Sequence, residues 1–219
     1  MASILARIAL RGAAIRARRR TCVFAMALFA PVAVTCAGCS RLKPVDTKAL
    51  DSSGMGYGAV QQLTALKITP AEVSQIAEAR QGGFSDDDCV AIMKIYRGEN
   101  RPFDAGDAVA GLTQVGMSDT SILNLAKLNE LGLGWGELQA MKLAGMSDAI
   151  VMGVARRRAA GKPVLSGASL ARLKNAGVRE PTLFQLVERG VPDSQAGKIL
   201  AYRRRGASER QILRQFAGI

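Results

Sequence analysis

Ala144-Gly145-Met146-Ser147-Asp148 is the stretch that decides the fold, because variants of it recur along the chain. Gly83-Phe84-Ser85-Asp86 and Gly116-Met117-Ser118-Asp119 repeat it closely, and Gly206-Ala207-Ser208-Glu209 repeats it more loosely. Glycine tolerates the left-handed conformation that ends a helix, while Ser followed by an acid caps and charges the start of the next helix. The stretch therefore predicts a corner between two helices.

Glycines predicted to end helical segments follow one another at intervals of 13 to 18 residues: Gly83, Gly98, Gly116, Gly132, Gly145, Gly161, Gly177, Gly190 and Gly206. Such regularity indicates an internal repeat. Each interval holds about three helical turns and a corner, so two intervals make a helical pair of roughly 30 residues. Apolar residues fall at helical spacing, and no interval alternates long enough to predict a strand. We predict an all-α fold of tandem short helical hairpins, arranged as an irregular array or a superhelical bundle.

Local start signals agree with this repeat. Thr69 with Glu72 and Ser208 with Gln211 have the spacing of a capping box. Each corner also pairs an apolar residue with another one inside the next helix, as in a hydrophobic staple: Met146 with Val151, Met117 with Ile122, Phe84 with Cys89, and Ala207 with Ile212. Cys89 is therefore predicted to be a packing residue and not a reactive thiol.

The N-terminal segment has the layout of an export signal. Residues 1–20 are basic and acid-free, and the apolar run of residues 21–35 leads into Cys36-Ala37-Gly38-Cys39. Ala37-Gly38-Cys39 resembles the lipobox of bacterial lipoproteins, although Cys36 stands where a Leu or Val is usual. The resemblance implies cleavage before Cys39, acylation of that cysteine by fatty acids such as palmitate, and attachment to a membrane. Several acyl chains make such attachment effectively permanent.

An uncleaved anchor helix or plain secretion are the alternatives, since about 18 apolar residues can just span a bilayer. Pro31 in mid-segment and the small residues after it favour cleavage. Every alternative exports the body, because the arginine-rich flank stays in the cytoplasm. We expect a protein of the bacterial cell envelope, lipid-anchored on the periplasmic side, in the outer rather than the inner membrane.

Three regions follow from these patterns: a signal peptide over residues 1–38, a flexible tether over residues 39–58 and a helical-repeat domain over residues 59–219. The tether lacks a sustained apolar period and carries Gly, Ser and Pro.

The first hairpin that the glycine pattern predicts has a weak family likeness. Ile68-Thr69 and Glu72-Val73, followed by Gly83-Phe84-Ser85-Asp86, resemble short helix-pair modules of bacterial envelope proteins and, more distantly, the helical modules called SHOCT. The likeness covers residues 68–97 and implies no catalytic residue.

Charge is unevenly distributed along the chain. The whole chain carries +12, and six arginines ahead of Cys39 have no acid among them, so removal of that segment leaves 24 minus 18, or +6. From Arg156 onward, 14 Lys and Arg residues face four Asp and Glu residues. Two arginine triplets lie there: Arg156, Arg157 and Arg158, then Arg203, Arg204 and Arg205.

The triplets have two interpretations. In one they bind an anionic partner such as nucleic acid, lipopolysaccharide or anionic lipid. In the other they are solvated cations at helix C-termini, where the helix dipole favours them. They are predicted to end the sixth and ninth helices, whose ends point in opposite directions, roughly 18 Å apart along a helix of about twelve residues. This geometry favours the second interpretation.

Several kinds of site are disfavoured by residue type. The chain has no histidine, which removes the commonest metal ligand and general base. Asp86-Asp87-Asp88 lacks the alternating ligands of a calcium loop and is interpreted as a complement to the helix dipole. Leu131-Gly132-Leu133-Gly134 has the paired glycines of a helix-hairpin-helix DNA-binding element, but only once. Trp135 beside it is either an exposed contact residue or a wedge between the third and fourth pairs, and the wedge is the favoured prediction.

The sequence thus predicts a non-catalytic, lipid-anchored envelope protein that acts as a helical scaffold or interaction module, with no cofactor and no metal. Its expected partners are the membrane, through the lipid, and an envelope protein or polymer. The alternative is an anion-binding module that uses the basic C-terminal half. Nucleic acid is the less favoured partner.

Overall fold

Twelve α-helices and one short 3₁₀ helix follow one another in the computed structural model, which describes residues 45–132 and 134–218. Their bounds are α1 Lys48–Ser52, α2 Tyr57–Ala65, α3 Pro70–Gln81, α4 Asp86–Gly98, α5 Gly106–Gln114, α6 Asp119–Lys127, α7 Trp135–Leu143, α8 Asp148–Ala159, α9 Gly167–Asn175, α10 Glu180–Glu188, the 3₁₀ helix Asp193–Gln195, α11 Ala196–Arg204 and α12 Glu209–Phe216. The described ranges contain no strand, which confirms the all-α prediction. None of their helices is both long enough and apolar enough to cross a membrane.

The helices form six hairpins stacked in two layers. Each odd-numbered helix packs on the odd-numbered helices before and after it, and the even-numbered helices stack in the same way. The two helices of each hairpin also contact one another. A single hairpin cannot bury its apolar faces alone, so stacking on its neighbours creates the continuous core. The predicted tandem array of helical hairpins is confirmed.

Each of the twelve described α-helices is followed by a residue with left-handed backbone, two positions beyond its last helical residue. Glycine occupies nine of these positions, as at Gly145, where φ is 75°. At that corner the N–H of Met146 donates to the carbonyl of Met141 at 3.1 Å, which completes a Schellman motif. The predicted end at Gly132 is wrong, whereas Gly98 is the last residue of α4 as predicted but does not have the left-handed backbone. Asn100 and Asn129 take this role, because asparagine also tolerates the left-handed region.

The predicted helix starts are largely confirmed. Thr69 with Glu72 and Ser208 with Gln211 form complete capping boxes. All eight predicted staple residues are buried, and burial raises the pKa of the Cys89 thiol to about 12, as expected for a packing residue. At Ser147 the backbone has the extended capping conformation, but the hydroxyl does not cap its own helix.

Part of the predicted tether is wrong. Helix α1 and the first residues of α2 lie within residues 48–58, and Leu50 is fully buried against the stack. Helix α1 has only five residues, too short to show an apolar period in the sequence. The described stack therefore begins about ten residues earlier than the glycine and serine content suggests.

Small residues set the spacing of the odd layer. A Cβ added at Gly106, the first residue of α5, would lie 2.2 Å from the carbonyl oxygen of Gln75 on α3. Trp135, the first residue of α7, packs against Gly111 of α5, where an added Cβ would lie 2.8 Å from the indole ring. Trp135 therefore has the predicted wedge role, but between α5 and α7, which belong to the second and third of the pairs that the glycine pattern predicts and not to the third and fourth.

Glu72 fastens the second hairpin to the third and is only 1% exposed. Arg97 of α4 donates to both carboxylate oxygens, at 2.8 and 2.6 Å, and the backbone N–H groups of Thr69 and Phe103 donate at 2.8 and 3.1 Å. Burial works to raise the pKa of Glu72, but these hydrogen bonds outweigh it and lower the pKa to about 2. The carboxylate therefore stays charged inside the stack.

Replacing Gly106 with alanine should destabilise the protein by about 1 to 3 kcal/mol, because the new methyl group would meet the backbone of α3 rather than a flexible side chain. Gly136→Ala, inside α7 with open space around it, is the control and should be neutral or stabilise by up to about 1 kcal/mol. Urea unfolding followed by circular dichroism measures both. Equal stability of the two variants would contradict close packing of α3 on α5.

Glu72→Gln should cost on the order of 3 kcal/mol at pH 7, because it leaves the guanidinium of Arg97 without its anionic partner. Since the folded pKa lies below the ordinary value of 4.5, this contribution is fully present above pH 4.5 and is lost as the pH falls toward 2. Urea unfolding at a series of pH values should therefore show the variant and the native protein converging in acid. Glu78→Gln, an exposed site on the same helix, should show no such difference.

Candidate functional site

The helix connections lie along two edges of the stack. We call the odd-to-even connections the corner edge, residues 53–56, 82–85, 115–118, 144–147, 176–179 and 205–208. The even-to-odd connections form the loop edge, residues 66–69, 99–105, 128–134, 160–166 and 189–195. Because each helix returns antiparallel to the one before, the two edges lie at opposite ends of the helices.

A chain of carboxylates links neighbouring turns of the corner edge. The side-chain carboxylate of the first residue of an even helix accepts a hydrogen bond from a backbone N–H one hairpin earlier. The donor is the residue just ahead of the preceding even helix. Asp148 of α8, for example, accepts from the N–H of Ser118 at 2.9 Å. Asp86, Glu180 and Glu209 accept in the same way, and at Asp119 a backbone hydrogen bond from Ser85 works to lower the pKa, although the net shift of that pKa is upward. We call this series the carboxylate ladder.

Four rungs of the carboxylate ladder also carry a cation from the end of the adjoining odd helix. The ion pairs are Arg80 with Asp86, Lys142 with Asp148, Lys174 with Glu180 and Arg203 with Glu209. In each pair the cation stands six residues before the acid. The rung at Asp119 has Thr113 in that position.

Asp119 lacks such a cation, and its pKa is shifted in the opposite direction from the pKa of Asp148. Burial works to raise the pKa of both Asp148 and Asp119. At Asp148 the hydrogen bonds from Lys142 and Ser118 outweigh burial and lower the pKa to about 2. At Asp119 burial is joined by a hydrogen bond shared with the Asp88 carboxyl, and the pKa is raised. Thr113 stands where the other rungs have a cation, so no base six residues before Asp119 offsets this effect.

The acidic run Asp86-Asp87-Asp88 occupies the first turn of α4, as the dipole interpretation predicts. Asp86 belongs to the carboxylate ladder, Asp88 contacts Asp119, and Asp87 is exposed. Within residues 45–132 and 134–218, no group of three or more acidic or cysteine side chains is arranged to hold a metal ion.

The first arginine triplet lies on the loop edge, and two of its members serve the fold. Arg157 donates to the carbonyls of Pro163 and Glu188 at 3.1 and 2.9 Å, and thereby ties the loop after α8 to the end of α10. Arg158 pairs with Glu137 at 2.6 Å. Arg156 is exposed, and its nearest carboxylate is 3.8 Å away, on Glu188.

The second triplet lies on the corner edge, and one of its members serves the fold. Arg203 donates to the carbonyls of Ala207 and Gly177, both at 2.9 Å, and so crosses from one corner to the next. Arg204 and Arg205 are exposed. The triplets end α8 and α11, one in each layer, so they lie on opposite edges, as the predicted helix directions require.

A groove of about 410 Å³ brings basic and aromatic side chains together at the last hairpin. Helix α11 and helix α12 line it with Lys198, Ala201, Tyr202, Arg205, Gln215 and Phe216. The rings of Tyr202 and Phe216 meet edge to face, with centroids 5.9 Å apart. Sequence reasoning missed this groove, although Lys198, Ala201, Tyr202 and Arg205 have the spacing of one helical face.

Cys39, the predicted lipidation site, and the predicted signal peptide lie outside the described residues. No protein-family model matches the chain, and no curated protein sequence matches it significantly. The resemblances to the lipobox and to SHOCT modules therefore stay predictions.

Thr113→Lys should complete the carboxylate ladder by giving Asp119 the cation that Asp148 has. We expect a gain of about 0.5 to 1 kcal/mol at pH 7, typical of a partly exposed ion pair. Because the native pKa of Asp119 is raised, its ionisation opposes folding at neutral pH, and the gain should vanish as the pH falls through that pKa. Urea unfolding at pH 7 and in acid measures this difference.

Gln114→Lys is the matched control for this experiment, since it adds the same charge at the neighbouring exposed position. A gain of the same size in the control would attribute the effect to overall charge and not to the rung at Asp119.

Proposed function

We propose that the protein is a non-catalytic, lipid-anchored component of the bacterial envelope, whose stacked hairpins act as a scaffold for contacts with an envelope protein or polymer. The observation that carries the proposal is the continuous two-layer stack, joined from hairpin to hairpin by the carboxylate ladder. Stacked helical repeats present extended exposed faces, and such faces are commonly used to bind other macromolecules.

The polar groups in the interior support a structural role. In the described residues, the buried polar side chains are Glu72, Ser169 and Thr182. Glu72 is held by Arg97 and by backbone N–H groups, and Ser169 donates through its backbone to Ser166. These interactions fasten helices to loops, and the one at Glu72 accounts for a buried charge that would otherwise suggest a reactive site.

The dimensions of the stack suit a spacer. Helices pack at 8 to 10 Å between axes, so the five steps from the first to the sixth hairpin span roughly 40 to 50 Å. The chain enters at the first hairpin, where Val45 packs against the core. With a lipid on Cys39, the first hairpin would be the one nearest to the anchor along the chain, and the last hairpin the one farthest along it.

The alternative function, an anion-binding module, is favoured by the charge of the last hairpins. Residues from Arg156 onward carry a net charge of +10, that is 14 minus 4. All four acids there are engaged: Glu180 and Glu209 in the carboxylate ladder, Glu188 near Arg156, and Asp193 by the N–H of Ser166. Against this alternative, Arg157, Arg158 and Arg203 are committed to contacts within the fold. Binding that weakens steeply with salt on any anionic polymer would characterise it.

The anchor can be tested by replacing Cys39 with alanine and expressing the full-length protein in bacteria fed radiolabelled palmitate. We expect the native protein to incorporate the label and to sediment with membranes, and the variant to lose both properties, because its acylated sulfur is gone. Cys36→Leu is the matched control: it places the usual residue at that lipobox position and should retain the label. Label that survives Cys39→Ala would contradict the proposed anchor.

A further inference from the structure

The exposed face of α11 corresponds to the face that each earlier odd helix uses to receive the next one. On α9, Ser169, Arg172 and Leu173 line a small hollow of about 40 Å³ closed by Ala196, Gly197 and Leu200 of α11. The first residues of α9 and α11 are 29 positions apart. The residues of α11 equivalent to these three are therefore Lys198, Ala201 and Tyr202. The same three line the open groove beside α12. In the described residues, the groove is thus a stacking position without an odd helix on it.

We propose that this groove binds an amphipathic α-helix of a partner protein that carries acidic side chains two turns apart. The inference rests on the proposed scaffold function and names the class of partner for one place on it. The shape argument is that every earlier odd helix holds another helix on this face. The groove is also about ten times as large as the filled hollow one repeat earlier.

The charge pattern specifies the chemistry of the helix. Lys198 and Arg205 stand seven residues apart, so their Cα atoms are separated by about 10 Å along α11, or two helical turns. Both are exposed, and neither forms an ion pair with a carboxylate of the described residues. Between them Ala201 and the half-buried ring of Tyr202 form an apolar floor, which Phe216 extends. A helix with two acids flanking small apolar residues matches this order of groups.

The chain's own N-terminal segment does not have this chemistry. The first acidic residue of the sequence is Asp46, so residues 1–45 carry bases and no carboxylate side chain. A helix from residues 1–20 would place arginines against Lys198 and Arg205, and one from the apolar run of residues 21–35 would offer neither of them a carboxylate.

A second copy of the chain does not continue the stack either. A continued carboxylate ladder needs an acid at the first position of the incoming even helix, but the first even helix begins with Tyr57. The N–H of Ser208, which would donate to that acid, already donates to Gln211 at 2.8 Å. The carboxylate ladder therefore cannot be continued by a second copy of the described hairpins.

The experiment uses the full-length protein in non-ionic detergent and a fluorescent alanine-based helical peptide of about four turns, with two glutamates seven residues apart and leucines between them. We expect saturable binding by fluorescence anisotropy. The double variant Lys198→Glu with Arg205→Glu should weaken it about tenfold or more, because two attractive contacts become repulsive. A peptide with lysines in place of the glutamates should bind this variant better than the native protein.

Matched controls assign the effect to the groove. Lys162→Glu with Arg189→Glu makes the same change of charge at exposed loop-edge positions and should leave peptide affinity within about twofold. Circular dichroism confirms that both double variants are folded. The assay measures α11 alone, so its result and the Cys39 labelling can fail independently.

Four results would overturn the proposal. The first two are that the peptide does not bind, or that a peptide with glutamine in place of glutamate binds equally well. The others are that the loop-edge control loses as much affinity as Lys198→Glu with Arg205→Glu, or that light scattering shows concentration-dependent dimers which that variant abolishes. Long-chain polyphosphate that displaces the peptide from the native protein and binds the loop-edge control less well would instead support a diffuse anion-binding surface.

Discussion

The stack depends on one repeated hydrogen bond. In it, the backbone N–H just ahead of an even helix donates to the carboxylate at the start of the next even helix. The N–H groups at a helix start have no partner within their own helix, and the carboxylate satisfies one of them from the neighbouring hairpin. The same carboxylate meets the positive end of its own helix dipole, so one side chain stabilises two helix starts. Since the bond joins residues 30 to 33 apart in sequence, it fixes the register of successive hairpins.

The corners were predictable because their determinants are local. Gly145 ends one helix, Met146 staples the next, and the first acid follows within three residues, so the whole motif lies in one window of sequence. The ladder joins that acid to a backbone group one repeat earlier, and no local window contains both partners. Its cations nevertheless leave a signal, because a base six residues before the acid recurs at four corners. Thr113 interrupts this pattern where Asp119 pairs with Asp88 instead.

The arginine triplets show why site prediction was less successful than fold prediction. Arg157 and Arg204 look alike in the sequence, but the first donates to carbonyls on a loop and at a helix end, and the second is exposed. The acceptors for Arg157 are backbone carbonyls, which every residue carries, so no residue type in the sequence predicts these hydrogen bonds. Helix direction alone did predict that the triplets lie on opposite edges, because alternate helices point opposite ways. Counting Lys and Arg residues therefore overstates the number of basic side chains that are free to bind a partner.

The two layers end differently: hydrogen bonding limits the even layer, whereas close packing limits the odd layer. In the even layer Tyr57 replaces the acid at one end, and Gln211 occupies the last N–H at the other, so both hydrogen-bonding ends are closed from within the chain. In the odd layer the register is set by close packing and not by such a ladder, as Gly106 against α3 shows. A packing face cannot be closed by a single side chain in this way. The stripe from Lys198 to Arg205 therefore stays open on α11, with polar groups at its ends and an aromatic ring between them.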